Sequence, residues 1–193
     1  TALGAFNQAS QIDPNNATLL EALADAQSLA GQFQAAHTTF LRAAEVLQAE
    51  THEDPDSGQA RRRVNLGRAG DALVSQGKEA HAIALWQKVL LAEPDDAALQ
   101  KKLGEALLRQ GRAEEAIAAF ENALGVSQEG DAEAVFGAAE AAIALGEANR
   151  AHRHIETLGQ IPPHSPHLAY RLGHLCRQLG QIQGAHKAFG QAV

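Results

Sequence analysis

Apolar residues return every three or four positions along most of this chain, and the runs they form are broken at regular intervals. Leu103 to Leu124, LGEALLRQGRAEEAIAAFENAL, contains two such runs separated at Gly111. Spacing of three and four puts apolar side chains on one face of a helix, so each run predicts an amphipathic helix. Gly111 stands where the first helix must end in a left-handed conformation, which a Cβ disfavours. The unit recurs. Glycines fall at 31, 77, 111, 146 and 180, in steps of 46, 34, 35 and 34. Bulky residues fall at Phe6, Phe40, Trp86, Phe120, Ile155 and Phe189, in steps of 34, 46, 34, 35 and 34. An alanine precedes each by four: Ala2, Ala36, Ala82, Ala116, Ala151 and Ala185. Pro14, Pro94 and Pro163 follow a bulky position by eight. Two residue types keeping one 34-residue step mark an internal repeat.

The pattern predicts helix pairs at 17–30 with 33–50, 59–76 with 79–92, 97–110 with 113–125, 132–145 with 148–159, and 166–179 with 182–193. Residues 1–16 read as the second helix of an incomplete first repeat. The units are then 17–50, 63–96, 97–130, 132–165 and 166–193, all within a single domain of 1–193. Residues 51–62, THEDPDSGQARR, break the step and read as an inserted surface loop, with Asp56 or Ser57 an N-cap candidate for a lengthened helix from Arg61. The chain opens in mid-repeat and ends without a polar capping helix, and solenoid ends need such caps. The expectation is a fragment of a longer protein.

In one unit Leu103-Gly104, Leu107, Gly111, Ala116 and Phe120 follow the order large residue, Leu-Gly, later large residue, turn Gly, Ala-x-x-x-Phe. In another, Leu172-Gly173, Cys176, Gly180, Ala185 and Phe189 do the same. This pattern resembles the tetratricopeptide repeat family over nearly the whole chain. The unit at 132–165 departs most, with Ala138-Ala139 and Ile155, and the first large residue of the units is weak (Leu20, Leu66, Gln100, Val135, Ala169). The resemblance implies an all-α fold: a right-handed α-solenoid of antiparallel helix pairs, about five and a half 34-residue units.

Composition agrees. Forty-one residues are Ala, the best helix former, and the aromatics are six Phe, one Trp and one Tyr. The net charge of −7 does not favour nucleic acid, whose affinity rests on Lys and Arg neutralising phosphates. The single cysteine, Cys176, excludes an internal disulfide and a Cys-rich zinc site. It fits cytoplasm or a bacterial periplasm equally, and the excess of Arg over Lys, 11 to 5, hints at a GC-rich bacterial source. No run approaches eighteen apolar residues, so direct membrane insertion is not expected. The opening TALGAFNQAS lacks a basic start and an apolar core, so no signal peptide is read there.

Catalytic motifs are missing: no glycine-rich phosphate loop, no G-x-S-x-G elbow, no H-E-x-x-H. The expectation is a protein that is not an enzyme and carries no cofactor. Six of the nine histidines lie beyond residue 150: His152, His154, His164, His167, His174 and His186. They raise the question of a metal, but no spacing among them meets a ligand pattern, so none is expected. His37, His152 and His186 stand one after the repeat alanine, where Ile83 and Ile117 stand in other units, so they read as partly buried packing residues.

The resemblance implies that ligands, usually peptide segments of other proteins, lie against the concave wall built from the first helix of each pair. Positions recurring at three- and four-residue steps share that face. They include Thr18, Glu21, Asp25 and Ser28; Val64, Gly67, Asp71 and Ser75; Ala98, Lys101, Glu105 and Arg109; Glu133, Phe136, Glu140 and Ile143; and His167, Tyr170, His174 and Arg177. Outside the core position, aromatics occur only at Phe33, Phe136 and Tyr170. Phe136 and Tyr170 hold equivalent places in adjacent units and read as an exposed hot-spot pair, unless Phe136 tucks under the seam between repeats. Asp25, Asp71, Glu105 and Glu140 form an acidic line, with His174 in the fifth unit beside Arg171 and Arg177. Arg68, Lys101, Lys102 and Arg109 are positioned to neutralise that line.

The chaperone-tail binding members of the family grip a C-terminal carboxylate with a clamp of Lys and Asn. An acid at the corresponding Asp25, Asp71 or Glu105 repels a carboxylate, which argues against that role. The partner-binding set expected from sequence is therefore Asp71, Lys101, Glu105, Arg109, Phe136, Glu140, Tyr170, His174 and Arg177. Its ligand would be a protein or peptide segment of basic or mixed charge. The leading function is a non-catalytic protein-interaction scaffold. Alternatives are a regulatory or substrate-docking arm of a larger enzyme such as a glycosyltransferase, or a self-assembling module.

Overall fold

The structure, a computed structural model, describes residues 2–49, 55–127, 131–160 and 166–191. The chain divides into two compact units, Thr1–Ala92 and Glu93–Val193. Among the described residues there are eleven helices and no strand. The first unit holds α1 (Ala2–Ile12), α2 (Ala17–Leu29), α3 (Phe33–Ala49), α4 (Pro55–Ser75) and α5 (Glu79–Ala92). The second holds α6 (Ala97–Arg109), α7 (Ala113–Val126), α8 (Ala132–Ala144), α9 (Ala148–Gln160), α10 (Pro166–Gln178) and α11 (Ile182–Gln191).

Local chemistry sets the ends of these helices. Asn16, Asp96 and Asp131 cap α2, α6 and α8, each accepting a backbone N–H of the first turn through its side chain. The five turn glycines at 31, 77, 111, 146 and 180 all have φ between 72° and 75°. In every one of these turns the residue after the glycine donates its N–H to a carbonyl five residues back, as in Arg112 to Leu107 at 2.9 Å and Gln181 to Cys176 at 2.8 Å. One turn geometry, used five times, folds each helix back on its predecessor.

The 34-residue step is a packing step. Ala36, Ala82, Ala116 and Ala151 have no exposed surface, and Phe40, Trp86, Phe120 and Ile155 are buried one turn further on. In the first unit Phe40 packs with Ala24, Ala36, Ala69 and Ala72, and Leu41 and Leu85 close over them. In the second, Val135, Phe136, Ala139, Ile155, Leu158, Leu175, Cys176 and Ala185 form one cluster. The large rings fit because the facing helix offers no Cβ. A Cβ on Gly70 would lie 2.0 Å from Nε1 of Trp86, and one on Gly137 would lie 2.3 Å from Cζ of Phe120. The side chain of Phe189 and the position of Pro163 lie outside what is described.

The segment 51–62, expected as a loop, is helical from Pro55 onward, and residues 51–54 lie outside the described set. Proline suits a first helical turn, and Asp56 behind it favours the positive helix end. Gly58 faces α3, and a Cβ there would make only ordinary contact, 3.9 Å from the Leu47 carbonyl. Further along, Arg61 donates to Thr18 and Glu21, each at 2.9 Å, and the buried Asn65 donates to Glu21 at 2.8 Å. The insertion therefore extends the helical hairpin.

Candidate functional site

The expected site residues lie on the first helices of the pairs. Asp71 sits half-buried on α4, in the first unit. The others lie in the second unit: Lys101, Glu105 and Arg109 on α6, Phe136 and Glu140 on α8, and Tyr170, His174 and Arg177 on α10. Helix α8 touches both α6 and α10, so these three helices form one continuous face.

Phe136 is not an exposed member of that face. It is 2% exposed, packed with Val135, Ala139 and Ile155 and covered by the Arg171 guanidinium 4.7 Å above its ring. The reason is the narrow approach of neighbouring repeats, which brings Arg171 from α10 over the ring before solvent can reach it. Tyr170, at the equivalent place one repeat later, is 53% exposed. Its ring meets His174 edge-on, with centroids 4.6 Å apart. Nη2 of Arg177 lies 3.3 Å from Nδ1 of His174, a geometry in which the guanidinium donates and the imidazole accepts. The expected aromatic pair is thus a single exposed tyrosine, whose ring meets a histidine that is itself held by an arginine.

The acidic line is largely internal ion pairing. Arg68 donates to both carboxylate oxygens of Asp25, each at 3.1 Å. Arg171 donates to Glu133 at 2.7 Å and to Glu140 at 3.3 Å. In each case an acid on one repeat meets an arginine on the first helix of the next. Burial pulls the Arg171 guanidinium downward, but the two carboxylates outweigh this and raise it above its usual value. Lys101 pairs with Asp131, the α8 cap. Burial raises the Asp131 carboxyl, yet Lys101 and the backbone N–H groups of Ala134 and Glu133 more than reverse that and hold it below its ordinary range. Glu105 is exposed, and among the described residues no cation pairs with it.

The histidines divide. Nδ1 of His37 lies 2.9 Å from the Ala69 carbonyl, joining α3 to α4 as the packing expectation requires. His152 at the equivalent position is exposed instead, facing Glu156 and Gln181. His154, which the repeat arithmetic does not single out, is mostly buried, with Nε2 3.5 Å from Glu121. His164 lies outside the described residues. Among those described, no group of three or more His, Cys, Asp or Glu is placed to hold a metal ion, and no helix is long and apolar enough to cross a membrane.

Two family models, both described as Tetratricopeptide repeat, match residues 68–134 and 107–162. Residues 68–162 are tetratricopeptide repeats. No curated protein matches the sequence. Solved structures show the same all-α helical solenoid. MamA 41-end from Desulfovibrio magneticus RS-1 superposes with a TM-score of 0.69 at 18% identity, covering 91% of this chain and 92% of that one. BtubC (BKLC) from P. vanneervenii gives 0.73 at 16% identity, covering 99% and 85%. YrrB, described as a TPR protein with an unusual peptide-binding site, gives 0.66 at 20% identity, covering 99% and 92%. These repeats, and the likeness to other tetratricopeptide repeat proteins, support a protein-interaction scaffold.

Proposed function

We propose that the second unit binds an extended or helical segment of a partner protein along α6, α8 and α10, without catalysis. The observation that carries this is Tyr170. A tyrosine half open to solvent, its ring edge-on to a His174 that Arg177 holds, has the character of an interface anchor: a large rigid ring with few side-chain angles to freeze. The same face offers Glu105 and Arg109 on α6, so a ligand of mixed charge fits it better than a uniformly acidic or basic one. The likeness to YrrB, a TPR protein with a peptide-binding site, supports a peptide ligand for this chain. The test is to pan a random dodecapeptide phage library on the whole chain, wild type beside Tyr170→Ala. An anchor of this kind is worth ~2 kcal/mol, or about 30-fold in affinity. Selected peptides that bind Tyr170→Ala as tightly as wild type, with both proteins equally helical, would refute the assignment.

A further inference from the structure

The internal ion pairs follow a rule, and Glu105 is where the rule breaks. Asp25 and Glu140 occupy the same place in their repeats, and each is met by an arginine of the following first helix, Arg68 or Arg171. Those arginines are equivalent too: Arg68 lies three residues before Asp71, and Arg171 three before His174. Glu105 on α6 holds the acid's place in its own repeat. The residue that should meet it, three before Glu140 on α8, is Gly137.

Gly137 cannot be an arginine in this fold. A Cβ there would lie 2.3 and 2.4 Å from Cζ and Cε1 of Phe120. Phe120 is itself buried and has no room on its other side, where a Cβ on Gly104 would lie 2.9 Å from the ring. The core thus takes the one residue that would have supplied the cation. Lys101, one turn away on α6, is engaged by Asp131. Glu105 is left as an exposed carboxylate on the ligand-facing side, beside a helix that presents only backbone where α4 and α10 present a guanidinium.

We propose that Glu105 accepts an arginine or lysine side chain of the bound partner segment, in the place that Arg68 and Arg171 fill from within the chain. The claim rests on the binding face described above and adds the chemistry of its ligand: a base at a fixed distance from the group that packs on Tyr170. Arginine is the preferred partner, because both internal examples use it and its planar fork matches a carboxylate.

The test pans the same dodecapeptide phage library on wild type, Glu105→Gln, Glu105→Arg and Tyr170→Ala, all as the full chain. The wild-type pool should be enriched in Arg or Lys at one spacing from an apolar or aromatic residue. The Glu105→Gln pool should keep that residue and lose the base, and the Glu105→Arg pool should turn to Asp or Glu there. For one selected peptide, replacing its base by norleucine should weaken binding to wild type about 3-fold at low salt and leave binding to Glu105→Gln unchanged. A pool that depends on Tyr170 but shows the same charge preference with Glu105→Gln overturns this assignment alone. A pool indifferent to Tyr170, or no pool at all, overturns the binding face and this assignment with it.

Discussion

Trp86 is the only tryptophan, it is 2% exposed, and its fit depends on a hydrogen atom at Gly70. In Gly70→Ala the new methyl would stand 2.0 Å from Nε1, 2.4 Å from Cε2 and 2.8 Å from Cζ2. Ordinary carbon contacts are ~3.5–4 Å, so the indole must move by more than an ångström. Overpacking of this kind costs ~2 kcal/mol. The movement also breaks the bond from the indole N–H to the Gly67 carbonyl, 3.3 Å long, and an orphaned buried donor costs another ~2 kcal/mol. Alanine's helix propensity returns only ~1 kcal/mol. The net loss is about 3 kcal/mol, or a melting point lowered by ~6–12 °C in a chain of this size. Tryptophan emission reports the event locally and should move to longer wavelength in the native protein. Gly125→Ala is the internal control. It lies in α7 with nothing within 4 Å of the added methyl, so it should raise the melting point slightly, by ~0.5 kcal/mol. If Gly70→Ala also stabilised the protein and left the emission unchanged, the close-approach account of the repeat would be wrong.

Other expectations follow from the same contacts. Phe136→Ala should lower stability by ~3–5 kcal/mol, visible in thermal unfolding, because it empties a buried cluster; Tyr170→Ala should leave the melting point nearly unchanged. Arg171→Met should cost ~1 kcal/mol by removing both carboxylate bonds and the cation over Phe136, and the difference from wild type should shrink in high salt. His154 is held below its usual value of 6.5, by burial first and by Arg150 and Arg153, against the opposing pull of Glu121. Its unfolded form therefore takes up a proton before its folded form does. Stability should be complete above pH ~6.5 and fall as pH drops through the folded value, and His154→Leu should flatten that slope in melting curves across pH.

Much of this molecule is legible in the order of its residues, because a repeat exposes its own rules. A helix pair that must stack on a copy of itself needs a small residue, a large residue and a left-handed turn at fixed places. Ala116, Phe120 and Gly111, with their counterparts one step away, announce those needs without coordinates. Nine of the eleven described helices accordingly begin and end within two residues of where the pattern puts them, and α1 differs only in stopping at Ile12. The other exception is α4, where loop-forming residues open a helix. Pro55 is compatible with a first turn as well as with a loop, and what decides is the reach of Arg61 and Asn65 to Glu21 on α2, a contact across more than forty residues.

The face is where sequence reading reached its limit, for the same physical reason. Position within a helix determines which side a residue occupies, but not how close the next helix comes. Phe136 and Tyr170 are equivalent by number, and only the packing of Ile155, Leu175 and Arg171 around Phe136 makes it a core ring while Tyr170 stays a surface ring. Asp25, Asp71, Glu105 and Glu140 read as one line of charge, and only packing shows that arginines answer Asp25 and Glu140 while Phe120 forbids an answer to Glu105. The repeat, the turns and most helix ends are written in the order of residues, because they depend on local spacing. Exposure, ion pairing and the open carboxylate of Glu105 depend on distances between helices, which only the packed molecule supplies.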